Sequence, residues 1–290
     1  MNFYKELSCP VCKSDLIKEE KCLKCEKGHS FDIAKEGYVN LLTASHKSGD
    51  LLGDNKSMAL SRQNFLNKGY FSSLSSFLSD YAKKHCNEKS ILLDICCGEG
   101  YYSSEVLKEN SCTLYGFDLS KSMVRLAAKR RLPASFFVAN LSKIPLKDES
   151  IDFAFHLFAP FHEKEFSRIL KKDGRLLTVV PGENHLFELK EAIYEKPYKN
   201  DEKLPEADEL ILKDTFKVKE KITLTSKEDI ECLFMMTPYY YRTSQKDKEK
   251  LQSLDSLEVT VEFVVGELLK KSCRGGPVCP PGNGAVSVEF

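Results

Sequence analysis

Residues 92–104 read "LLDICCGEGYYSS". Ile91 to Ile95 is a short apolar run that predicts a strand, and the residues after Gly100 open a helix-like stretch. A glycine-rich turn between a strand and a helix lets backbone N–H groups approach a ligand closely. A dinucleotide site would read G-x-G-x-x-G at this place. The chain instead runs Asp94-Ile95-Cys96-Cys97-Gly98-Glu99-Gly100, a shorter loop with an acidic start. Such a loop suits S-adenosylmethionine, which has no pyrophosphate and carries a cationic sulfonium and an amino group. Asp118, at the end of the next apolar run in "YGFDLS", lies 20 residues after Gly98. An acid there accepts hydrogen bonds from ribose hydroxyls.

Outward from that turn the pattern is an α/β alternation. Strands are expected at Ile91 to Ile95, Leu114 to Phe117, Ser135 to Ala139, Ile151 to Leu157 and Arg175 to Val180. Helix-like stretches lie near 101–109, 120–130, 163–171 and 185–195, with two more between Ser57 and His85 broken at Gly69. This predicts an α/β fold with a doubly wound, Rossmann-like parallel sheet of the class I methyltransferase kind. The later runs "FKVKEKITLTS" and "LEVTVEFVV" add an antiparallel pair at its edge. "PYKNDEKLPEADE" (197–209) is charged and interrupted by proline, an exposed loop.

Upstream, "CPVCKSDLIKEEKCLKCEKGHSF" (9–31) packs four cysteines and a histidine into 21 positions. Zinc takes four such ligands in a tetrahedron, usually from two short-spaced pairs. Cys9 and Cys12 form one pair. The second is either Cys22 with Cys25 or Cys25 with His29, where Gly28 eases the turn before the histidine. A segment this small owns no core, so metal would fold it. The expected division is a small N-terminal zinc-binding domain at 1–45, a methyltransferase domain at 46–272, and a disordered or vector-derived tail at 273–290.

The 290 residues are 42% apolar and 30% charged, in the range of ordinary globular proteins. Lys plus Arg and Asp plus Glu both number 43, so bulk charge does not mark a nucleic-acid binder. No export signal and no membrane span are visible, and the eleven cysteines are clustered rather than spread as a disulfide frame. The expectation is a cytoplasmic protein with reduced thiols.

The chain resembles the bacterial 23S ribosomal RNA (guanine-N1) methyltransferases, which join a zinc knuckle to an adenosylmethionine-dependent domain. The shared stretches are "CPVC", "DIAKEGYVNLL" (32–42), "LDICCGEGYY", "FAP" (158–160) and "PGENHLFELKEAIY" (181–194). Generic methyltransferases lack the second of these. The resemblance implies Cys9, Cys12, Cys25 and His29 as zinc ligands, leaving Cys22 a spare thiol. It implies Tyr70, Gly98, Glu99 and His185 as cofactor-binding residues, to which the ribose argument adds Asp118. It implies methyl transfer to N1 of a guanine in a 23S rRNA hairpin, and a homodimer. The family's turn has glycine where this chain has Cys96, and a Cβ at positive φ costs about 1 kcal/mol or more.

N1 of guanine carries a proton at neutral pH, so a base or a stabilised oxygen is needed as attack proceeds. His156, His162 and Glu163 are the nearby candidates, none of them marked as catalytic. Lys121, Arg125, Lys129, Arg130 and Arg131 could meet phosphates or form a solvated helix face. A small-molecule methyltransferase and a non-catalytic rRNA-binding relative are the competing readings; the knuckle argues against the first.

Overall fold

The computed structural model describes residues 4–43, 56–271 and 286–289. It opens with β1 (Ile17–Glu19), β2 (Cys22–Lys24) and β3 (Ser30–Asp32), an antiparallel sheet in that order. Next come β4 (Val39–Asn40), α1 (Lys56–Asn67) and α2 (Ser72–His85). The two helices are separated at Gly69, whose φ of 81° a side-chain-bearing residue rarely adopts. The alternation follows: β5 (Ile91–Ile95), α3 (Tyr101–Glu109), β6 (Thr113–Asp118), α4 (Lys121–Lys129), β7 (Ala134–Val138), β8 (Ile151–Leu157), α5 (Glu163–Ile169), β9 (Leu170–Pro181) and α6 (Phe187–Ile193). The chain continues through β10 (Leu210–Leu224), α7 (Lys227–Met235), α8 (Gln245–Gln252), β11 (Leu257–Lys270) and β12 (Val286–Glu289).

Among the described residues one large sheet runs β12-β10-β11-β9-β8-β5-β6-β7-β4. Strands β4 to β9 are parallel, and β11 lies antiparallel to both β9 and β10. The Rossmann-like order and the antiparallel edge pair expected from the sequence are both present. The helix expected over 163–171 stops at Ile169, because Leu170 is already paired with Ile151 at the start of β9. Of the expected tail, residues 273–285 and 290 lie outside the described residues, while β12 pairs parallel with β10. Among the described residues no helix is long and apolar enough to cross a membrane.

Strand alternation divides the core. Leu92, Leu114, Phe153, Phe155 and Leu177 face the layer that contains α2 and α3. Leu93, Tyr115, Phe117, Ala154 and Leu176 face the opposite side, where Phe166 and Ile169 of α5 pack. The N-terminal ribbon joins that second layer: Leu7, Leu16 and Leu23 are buried in the same cluster. Its backbone is also tied in, with Ser8 N donating to Pro145 O (3.0 Å) and Lys147 N to Glu6 O (3.0 Å). Immediately after the ribbon, β4 pairs with β7 and covers the edge of the large sheet.

Gly100, with φ of 81°, is the N-cap of α3, and Ala127 of α4 lies against it. A Cβ on Gly100 would lie 2.9 Å from the Ala127 Cβ and 3.1 Å from its Cα. Gly100→Ala should therefore destabilise the protein by about 2–4 kcal/mol, from left-handed strain plus overpacking. Thermal or urea denaturation measures this; an unchanged midpoint would show that α3 and α4 can separate at no cost.

Candidate functional site

The ribbon presents four ligand atoms to a common point. Cys12 and Cys25 Sγ are 3.6 Å apart, His29 Nδ1 is 3.3 Å from Cys25 Sγ and 3.6 Å from Cys9 Sγ, and all four lie within 4.8 Å of one another. A tetrahedral zinc with bonds near 2.0–2.3 Å sets ligand separations of about 3.5–3.8 Å, so this set fits the ion. Two turns build it. Lys13 N donates back to Cys9 O (2.8 Å), and Gly28, at φ 83°, donates to Cys25 O (2.9 Å) so that His29 faces Cys25. Cys22 lies on β2 outside the cluster. The choice between ligand pairs that spacing leaves open is made by the fold in favour of Cys25 and His29.

At the carboxyl end of β5 the turn is held by its neighbour strand. Gly98 N donates to the Asp118 carboxylate (3.1 Å), whose other oxygen accepts from Ser120 N (2.8 Å), and Cys97 N donates to Phe117 O (2.8 Å). Cys96 has φ of 59°, the left-handed conformation anticipated for this position, so its Cβ carries about 1 kcal/mol or more of strain. Asp94 is buried and accepts from the Ser103 hydroxyl (2.6 Å). Glu99, 1% exposed, forms an ion pair with Arg130, whose Nε also reaches the Glu99 carbonyl (2.9 Å). Asp94, Cys96, Gly98, Glu99 and Asp118 line a cleft of about 330 Å³ together with Arg62, Tyr102 and Phe158. Its acids suit a ligand bearing sulfonium, ammonium and ribose, so the residues present fit S-adenosylmethionine.

A second cavity of about 570 Å³ opens beside the first, and the two share Arg62, Tyr102, Phe158 and Ala159. Its walls are mostly apolar and aromatic, with Phe71, Phe158, Tyr198 and Tyr239 among them. Lys190 shapes one wall. Fully buried, it donates to Tyr198 O (2.9 Å) and Asn200 Oδ1 (2.6 Å), with its ammonium 4.3 Å from the Tyr198 ring centroid. The segment 197–209, expected as a plain exposed loop, is thus anchored and contributes Tyr198, Asn200, Lys203 and Pro205 to the cavity.

The structure brings Gly98, Glu99 and Asp118 together in the first cleft. His185 is in the second cavity, where its Nδ1 accepts from Glu262 N (3.2 Å) and burial lowers its pKa to about 3. Tyr70 lines neither: its hydroxyl donates to Asp229 (2.9 Å) and its ring stacks on Phe65. Among the candidate bases, His156 is held at both nitrogens, by Thr178 Oγ1 (3.2 Å) and Pro160 O (3.1 Å), and burial lowers its pKa to about 4. Glu163 accepts from the backbone of Glu209 and Leu210 and braces that loop. In the basic run, Arg125 pairs with Glu36 and Arg130 with Glu99. Sequence reasoning missed Arg62 and Tyr102, which carry no local motif beyond helical spacing and a position after the turn.

A zinc ribbon packed on a Rossmann-like sheet with an acid-lined cleft at the end of its first core strand defines a metal-dependent ribbon joined to an adenosylmethionine-dependent methyltransferase. Comparison with known proteins agrees. The family profile described as "RlmA, N-terminal" matches residues 7–49, and a methyltransferase-domain profile matches 92–178. A 23S rRNA (guanine(748)-N(1))-methyltransferase of Streptomyces fradiae is 35% identical over 196 residues, 66% of this chain and 69% of that protein. A Micromonospora griseorubida protein, provisionally named a 23S rRNA (guanine-N(1)-)-methyltransferase, is 33% identical over 63% of this chain and 68% of its own length. The chain belongs to the 23S rRNA (guanine-N1)-methyltransferase family.

Cys12→Ser should release zinc and Cys22→Ser should retain it, as read by metal content of the purified variants; zinc loss from the Cys22 variant would place that thiol in the site. The cleft also carries a pH signature. Burial pushes the Asp94 carboxyl up to about 7, opposed by the Ser103 hydroxyl and reinforced by Asp118 and Glu99. Asp94 is thus neutral below that pH and anionic above it, and a cationic ligand favours the anion. Affinity for S-adenosylmethionine should rise about tenfold between roughly pH 6 and pH 8. Calorimetry at the two values checks this, and Asp94→Asn should flatten the difference.

Proposed function

We propose that the chain transfers the methyl group of S-adenosylmethionine to N1 of a guanine in a hairpin of 23S rRNA. The carrying observation is the shared wall of the two cavities at Arg62, Tyr102, Phe158 and Ala159. A donor bound in the acid-lined cleft then lies beside a base-sized aromatic chamber. When bound, S-adenosylmethionine supplies an electrophilic methyl on a good leaving group, so the protein mainly aligns the reactants. Asp118 would hold the ribose and the Gly98 turn would line the methionyl end, while Glu99 fixes the turn through Arg130 and the Tyr70 hydroxyl donates to Asp229.

The acceptor base enters the larger cavity unpaired from its helix, as chemistry on a base edge requires. Phe158, Tyr198 and Tyr239 offer ring faces for stacking. Among the described residues no carboxylate lines this cavity. His185 is neutral, and with Nδ1 accepting from Glu262 its proton sits on Nε2, making it a donor rather than a base. Such a donor, with Lys203 (paired to Glu206) lining the same cavity, would favour the form of guanine that has lost its N1 proton to solvent water and carries charge on oxygen.

In this reading residues 1–45 recognise the hairpin by shape while 46–272 carry the transfer. Lys13, Lys24 and Lys27 of the ribbon meet phosphates. A cytoplasmic location and the homodimer implied by the family resemblance belong to the same reading. The test is methyl incorporation into deproteinised 23S rRNA with mapping of the modified base. A modified guanine N1 is expected, lost in Cys12→Ser while cofactor binding survives. Transfer to small molecules but not RNA would move the protein to another substrate class, and cofactor binding without any transfer would favour a non-catalytic relative.

A further inference from the structure

Tyr102 and Arg62 stand at the junction of the two cavities. Tyr102 is 8% exposed and lines both cavities, and its hydroxyl is buried without a hydrogen-bond partner. A buried hydroxyl left unsatisfied costs about 1–3 kcal/mol, which a ligand oxygen at that point would recover. Burial pushes the phenol's pKa up, so it keeps its proton and acts as a donor. Arg62, projecting from α1, lines both cavities too, and its Cδ lies 4.0 Å from where a Cβ on Gly98 would sit. Its Nη2 reaches the Met236 carbonyl (3.5 Å) at the end of α7, so the guanidinium spans the mouth of the cleft.

Charge decides what these donors meet. The cleft's other charged linings are Asp94, Glu99 and Asp118, and Arg62 is the one cation that lines it among the described residues. S-adenosylmethionine is cationic at sulfur and at its amino group, which matches the acids, but it ends in one carboxylate that none of those acids can hold. A guanidinium fork grips a carboxylate through two parallel hydrogen bonds, and a buried phenol can add a third. Arg62, Tyr102, Gly98 and Asp118 line one cleft, so a nucleoside anchored at Asp118 would reach the two donors with its methionyl end.

We propose that Arg62 and Tyr102 form the binding site for the cofactor's methionyl carboxylate, closing the cleft with a residue supplied from α1. The inference rests on the cofactor reading of the cleft. Arg62 and Tyr102 are positioning residues: by fixing the carboxylate they aim the methyl at the acceptor cavity, whose wall they share.

The test compares S-adenosylmethionine with its decarboxylated form, which keeps the sulfonium, amine and ribose, by calorimetry on the purified full chain. Wild type should bind the complete cofactor more tightly. Arg62→Ala should weaken S-adenosylmethionine about 10- to 100-fold, and Tyr102→Phe about 3- to 10-fold, with the decarboxylated compound changed by less than about twofold in either. Retained binding of that compound also shows that the variant is folded. Equal loss of both ligands would make the two residues supports of the cleft and overturn the assignment. Unchanged affinity for both would overturn it as well, assigning the pair to the acceptor instead. Wild type that binds neither nucleoside would remove the cofactor reading itself, a result distinct from any variant effect.

Discussion

The hydrogen bond from Gly98 N–H to the Asp118 carboxylate joins the ends of β5 and β6, and the geometry around the cleft follows from it. For that N–H to point across to β6, the chain must turn sharply after Ile95, which puts Cys96, Gly98 and Gly100 at positive φ. The turn then delivers Tyr101 and Tyr102 into the first turn of α3, with Tyr102 beneath the mouth of the cleft. It also buries Glu99, whose charge requires a partner, and Arg130 at the end of α4 supplies it. A single local conformation thus commits an acid, an arginine and two helices.

The same logic explains why Cys96 is tolerated. Strain of about 1 kcal/mol at one residue is small against a turn held by Gly98, Cys97 and the buried Asp94–Ser103 contact. The surrounding bonds over-determine the backbone, so the side chain follows it. The site is costly in another respect: three carboxylates converge on one cleft, and burial leaves Asp94 reluctant to ionise. A cationic ligand would relieve that cost at Asp94.

The ribbon depends on a different balance. Strands of three residues cannot sustain a sheet, and the zinc energy of about 10–16 kcal/mol typical of such sites is the term that holds the ligand turns. Its few apolar residues do not make a separate core. Leu7, Leu16 and Leu23 add to the layer under Phe117 and Phe137, so metal fixes the ribbon's own shape while the large sheet fixes where it sits.

The sequence by itself determined the strand–turn–helix at 91–109, the order of five parallel strands with an antiparallel pair beyond, and the zinc ligand types. These are readable because each depends on residues close in the chain: period-two and period-3.6 apolar patterns, glycine in a turn, paired cysteines. Gly98 and Asp118 were legible as a pair because their spacing of one βα unit is fixed by the fold class. Tertiary structure decided what depends on distant partners. Cys25 with His29 faces Cys9 and Cys12 only once both turns fold against each other. Glu99 meets Arg130, 31 residues on, only once the turn after β5 and the end of α4 fold together. The charged loop at 197–209 became a cavity wall because Lys190 is buried beneath it, and Arg62 reached the cleft because α1 packs against α7, more than 160 residues downstream. No local pattern records where a long side chain ends up when the element that receives it is that far away in sequence.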